Sequence, residues 1–137
     1  MNNNLRIRLY YVLLLAVTMW AGLATRHTPD LFPKFISEYG GDILYATFAV
    51  FGLRFLWLKP ALWKILLAGF IYCVLIEIQQ CCQAPWLVQL RNTFPFGLIL
   101  GYGFLWSDIV CYAAGVLLAW PFCLVGEKIW KSGNARV

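Results

Sequence analysis

Charge is scarce in this sequence. Asp, Glu, Lys and Arg together make up 12% of 137 residues, against roughly 25% in a soluble domain. A chain of this size has too little interior to hide a composition that is 62% hydrophobic, because the fraction of surface buried falls as chains shorten. A water-soluble globule is thereby excluded, and the solvent that accepts the surplus is lipid. Histidine is nearly missing. The single one, His27, stands next to Arg26 in a loop and reads as solvated rather than as a general base. No histidine cluster offers a zinc site. No serine nucleophile elbow and no glycine-rich phosphate loop ending in lysine is present. No metal and no cofactor is expected, and whether any reaction is catalysed stays open.

The five cysteines are odd in number. Cys73, Cys111 and Cys123 fall in apolar runs and read as packing. Cys81 and Cys82 are adjacent and poorly placed to pair with each other, so their redox state is open. The net charge of +5 sits in small groups between apolar runs, not in a stripe. That pattern writes membrane topology and excludes nucleic acid as a partner.

Four apolar runs approach the roughly 17–25 residues that cross a hydrocarbon core. They cover about 9–25, 43–58, 61–78 and 108–125. The expected fold is all-α: a polytopic transmembrane four-helix bundle in a single domain over residues 1–137. Lys59, Pro60 and Lys64 mark a water interface between the second and third runs. Phe94–Trp106 is apolar, glycine-rich and too short to cross alone. It reads as a re-entrant or interfacial piece or as an extension of the last helix, with a fifth span as the alternative. The first run is long for a signal peptide and lacks a clear cleavage site, so a retained helix is expected.

Orientation follows from Lys and Arg. With both termini on one side, that side collects Arg6, Arg8, Arg54, Lys59, Lys64, Lys128, Lys131 and Arg136, and the other holds Arg26, Lys34 and Arg91. The richer side is cytoplasmic, so both termini are expected inside, in a multi-pass protein of the bacterial cytoplasmic membrane. The acids distribute the other way. Asp30, Glu38, Asp42, Glu77 and Asp108 fall outside, and Glu127 falls inside.

Asp42 and Asp108 each stand where an apolar run begins. The plain reading is a pair of helix caps, since a helix N-terminus favours an anion. Glu77 resists that reading, because it lies near the end of the third run, where the helix dipole disfavours an acid. Gln80 follows it on the same face. Arg26-x-Thr28 and Arg91-x-Thr93 are each followed closely by proline, and each precedes an aspartate with a tyrosine one turn on, Tyr45 and Tyr112. The pattern reads as a two-helix unit used twice in parallel, which would place a shared site between the halves.

The ordered set Gly22, Thr25-Arg26, Gly40-Gly41-Asp42-x-x-Tyr45, Glu77-x-x-Gln80, Arg91, Gly101-x-Gly103-Phe104 and Asp108-x-x-x-Tyr112-x-x-Gly115 resembles the domain of unknown function 2809 family of small bacterial membrane proteins. The Glu-x-x-Gln, Arg, Asp and Gly order is more distantly similar to the VanZ-like group, which is linked with the cell envelope. Neither resemblance implies a mechanism. The residues themselves suggest a polar site of Arg26, Asp42, Tyr45, Glu77, Gln80, Arg91, Asp108 and Tyr112 at the outer boundary. Arginine offers a planar fork for phosphate or carboxylate, and carboxylates hold hydroxyls, protons or cations. The expectation is a protein that binds or processes an anionic envelope lipid or lipid-linked head group. Its partners would be membrane lipids, with a homo-oligomer or another membrane protein as further options. The alternative is a non-catalytic assembly or scaffold protein whose polar residues only fix helix packing.

Overall fold

The computed structural model describes residues 2–101, 103 and 105–135. Phe104, in the family pattern above, and Arg136, in the cytoplasmic charge group, lie outside the described residues. The described chain is helical, with four long helices. These are α1 (Asn3–His27), α2 (Lys34–Leu56), α3 (Leu62–Gln80) and α6 (Trp106–Asn134); the short α4 (Pro85–Arg91) and α5 (Phe96–Leu100) lie between the last two.

Local chemistry sets the boundaries. The Asn2 side chain accepts from the Asn4 amide and caps α1. At the other end of α1, Thr28 Oγ1 donates to the Ala24 carbonyl at 2.7 Å, and Pro29 follows. Pro33 is the N-cap of α2, and Pro60 separates α2 from α3.

Short connections make consecutive helices antiparallel neighbours. α2 packs against α1, α3 and α6, and α6 also touches α1 and α3. α1 and α3 therefore flank an α2–α6 pair. The Asn3 side-chain amide donates to the Trp130 carbonyl at 2.7 Å, so the start of α1 meets the end of α6. Both described ends of the chain lie at the same end of the bundle.

Glycines set the close approaches. A Cβ at Gly115 in α6 would run into the Ile43 carbonyl, and one at Gly69 in α3 would lie 2.6 Å from Val50 Cγ2. Thr47 Oγ1 donates to the Gly115 carbonyl at 2.8 Å and fastens α2 to α6 there. The packed core of Tyr11, Val50, Phe51, Cys73, Ala119 and Cys123 fills the middle of the bundle.

Polarity is distributed inside out. Arg54, Glu77, Gln80 and Arg91 are buried, whereas Leu13, Trp20, Leu75, Val110 and Leu117 are exposed. A water-soluble monomer does not display such a surface. α1, α3 and α6 are each long and apolar enough to cross a bilayer. α2 departs from the expected second span. It starts at Lys34 rather than near Ile43, and it is not among the described helices that are long and apolar enough to cross. Helix continuity depends on backbone bonding, which does not stop where hydropathy does.

Two of the alternatives for the segment before the last helix fall away. α5 has five residues, too few for a span, and Gly101 at φ +66° breaks the chain before α6. It is neither a fifth span nor an extension of α6.

Candidate functional site

One end of the bundle opens into a polar cavity of about 560 Å³. α2, α3 and α6 supply its walls, the end of α1 contributes Arg26, and the α5 segment lies over one side. Tyr45 Oη donates to the Ile99 carbonyl at 3.0 Å and ties that segment to α2.

Glu77 forms the floor and is 1% exposed. Its Oε1 accepts from Tyr112 Oη at 2.5 Å and from Gln80 Nε2 at 3.4 Å. Glu77 Oε2 and Gln80 Oε1 are buried and make no hydrogen bond among the described residues. Two acceptors are thus left without hydrogen-bond donors, at a cost that a donor reaching them would relieve. A buried acid ordinarily finds a cation or a hydrogen-bonding partner. Among the described residues Glu77 makes no ion pair; both pairs found involve Glu127.

Asp42 and Asp108 lie close enough to influence each other electrostatically, with Ser107 beside Asp108 in the chain and the Arg26 and Glu77 charges also acting on Asp42. Asp108 lies in the first turn of α6, where the dipole favours it. Asp42 does not cap its helix. It sits in the third turn of α2, so the cap reading fails for it. Because α2 starts early, Glu38 falls one turn before Asp42 on the same face and joins the cavity with Tyr39. The i, i+4 spacing was the signal for Glu38. It is legible only once the helix is extended back to Lys34.

Arg26, Asp42, Tyr45, Glu77, Gln80, Asp108 and Tyr112 line the cavity. Arg91 does not. Its Nη2 donates to the Gln79 carbonyl at 2.7 Å and the Cys82 carbonyl at 2.9 Å, where it satisfies groups left over at the end of α3. The two-arginine clamp is therefore not assembled, and the parallel repeat breaks down at this point. Arg26 ends a long helix, whereas Arg91 ends a seven-residue one inserted after α3.

Arg26 is exposed and makes no ion pair among the described residues. Its guanidinium lies along α2, because a Cβ at Gly41 would already approach its Nε to 3.4 Å. Glu38, Asp42, Glu77 and Asp108 face this one cation across the cavity. The acids are spread around the wall, and among the described residues no group of three or more is placed to hold a metal ion. The site is rich in acceptors, with a single fork-shaped donor at its rim.

The fold and surface define the class: a small all-helical protein built to sit in a membrane, with a polar cavity at one end. The chain belongs to the family described as "Protein of unknown function (DUF2809)", which matches residues 31–116. No solved structure matches the chain.

Proposed function

We propose that this protein binds or processes an envelope lipid whose head group joins hydroxyls to a phosphate, at the outer face of the bacterial cytoplasmic membrane. In this reading α2 crosses the bilayer with α1, α3 and α6, and both termini are cytoplasmic. The observation that carries the reading is the pair of buried acceptors without donors, Glu77 Oε2 and Gln80 Oε1, in an open polar cavity. Hydroxyls supply donors to such a wall, and Arg26 supplies the fork for the phosphate. With one arginine facing four acids, a bare anion fits poorly. A polyol or sugar head group on a lipid phosphate meets both halves of the site. An envelope role is also in keeping with the resemblance to the VanZ-like group.

The alternative, an assembly or scaffold protein, draws on Arg54 and Arg91, whose bonds are internal. Neither residue lines the cavity.

The test uses the full chain in nanodiscs of phosphatidylglycerol and phosphatidylethanolamine, with retained lipid counted by native mass spectrometry. Wild type is expected to retain phosphatidylglycerol. Asp42→Asn keeps an amide oxygen as acceptor but loses the charge, a difference of about 1–1.5 kcal/mol between charged and neutral hydrogen bonds, so retention should fall about five- to tenfold at an unchanged melting temperature. Equal retention by the variant would overturn the reading. Preference for phosphatidylethanolamine would replace the hydroxylated head group with an ammonium one.

Topology is tested separately. Reporter fusions at Lys59 and Lys131 should report cytoplasm, and one at Lys34 the outside. Opposite signals from Lys59 and Lys131 would remove the common-side arrangement.

A further inference from the structure

A second, apolar depression adjoins the cavity. It is a groove of about 140 Å³ between α1 and α2, with Gly22, Leu44 and Phe48 among its walls. Arg26, Tyr45, Leu98 and Ile99 line both the groove and the cavity, so the two spaces adjoin between the one arginine and the α5 segment. The groove follows the helix axes. Gly22 lies one turn along α1 from Arg26, about 6 Å at 1.5 Å per residue, and Phe48 lies further along α2 in the same direction, away from the cavity. A hydrocarbon chain in a bilayer runs in that direction too.

We propose that this groove holds one hydrocarbon chain of the lipid whose head group occupies the cavity, with the phosphate at Arg26. The proposal rests on the head-group reading above and adds the path of the chain. Three observations favour this occupant over a partner helix or a second copy. The groove and the polar cavity lie side by side and share lining residues, the juxtaposition an amphiphile requires. The guanidinium stands at the junction, where a lipid carries its phosphate. Gly22 keeps the groove narrow-walled and open, since a Cβ there would meet only Leu44 Cβ, at 3.9 Å.

That last distance also supplies the test. Gly22→Leu keeps ordinary contacts at Cβ and puts the rest of its side chain into the groove. Overlap on the methylene scale costs about five- to a hundredfold in affinity. Retention of phosphatidylglycerol in nanodiscs should fall by that factor, while weak binding of glycerophosphoglycerol, the same head group without chains, stays unchanged. A second measurement uses wild type alone. Phosphatidylglycerol with a diazirine on one chain should label Gly22, Leu44 or Phe48.

Retention by Gly22→Leu equal to wild type, with Asp42→Asn still losing lipid, would overturn the chain path and leave the head-group site standing. Retention by both variants would remove the head-group reading and this inference with it. Labelling confined to α3 or α6 would likewise overturn the path. Loss of both lipid and glycerophosphoglycerol in a Gly22→Leu variant that melts like wild type would show damage to the cavity and count against the groove.

Discussion

Arg54→Met should lower the stability of the detergent-solubilised protein by about 3–5 kcal/mol, the cost of leaving a buried partner uncompensated. Arg54 is 3% exposed and Glu127 21% exposed, and they pair at 2.7 Å. Arg54 Nη1 also donates to the Pro60 carbonyl at 2.7 Å, so one side chain holds the α2–α3 connection and α6 together. The partial exposure of Glu127 and the Lys131 ammonium 3.9 Å from its Oε2 place the effect at the lower end of the range, since water and a second cation reach the carboxylate. The melting temperature is the measurement. The double variant Arg54→Met, Glu127→Met should recover most of the loss, because it removes both charges. A single variant as stable as wild type would show that the pair contributes nothing.

Gly115→Ala should destabilise by about 1–3 kcal/mol, the usual cost of overpacking, and Gly115→Leu should prevent folding. Two effects oppose each other at this position. Alanine gains roughly 1 kcal/mol over glycine in a helix interior. Its methyl, however, meets the Ile43 carbonyl and lies 2.8 Å from Ala46 Cβ. Neither obstacle is the end of a flexible side chain, so relief requires α2 and α6 to separate, which also stretches the Thr47–Gly115 hydrogen bond. The clash wins. Gly52 in α2 provides the opposite sign, because a Cβ there meets nothing within 4 Å. Gly52→Ala should leave stability unchanged or raise it by up to roughly 1 kcal/mol. Parallel melts of the two alanine variants read out the contrast, and equal shifts would show that the α2–α6 approach is not the cause.

Much of the helical plan is legible in hydropathy, because crossing a bilayer takes a continuous and predominantly apolar stretch. α3 nearly coincides with its apolar run, since Pro60 stops it on one side and polar residues on the other. α2 was misread for the converse reason. Its first turns carry Lys34, Glu38 and Asp42, and a helix that continues into a polar environment leaves no hydropathy edge. That one error made Asp42 look like a cap and hid Glu38. The partners of Glu77 were legible only in part. Gln80 lies at a helical spacing from it, but Tyr112 arrives from a different helix, and no local pattern encodes that contact. Arg91 misled because spacing along the chain cannot tell a side chain that enters a cavity from one that turns back onto nearby carbonyls.

The cavity is a dead end. At the far end of the bundle Arg54 grips Glu127 and the Pro60 carbonyl, and between lie fully enclosed residues such as Tyr11, Val50, Phe51 and Cys123. In the proposed reading, a lipid held there leaves by the mouth of the cavity or sideways between α1 and α2. For an occupant already dissolved in the bilayer, both routes are searches in two dimensions. Occupancy would then be governed by the mole fraction of that lipid in its leaflet, not by any concentration in water. Titration by leaflet composition at constant total lipid is the experiment in which such a site saturates.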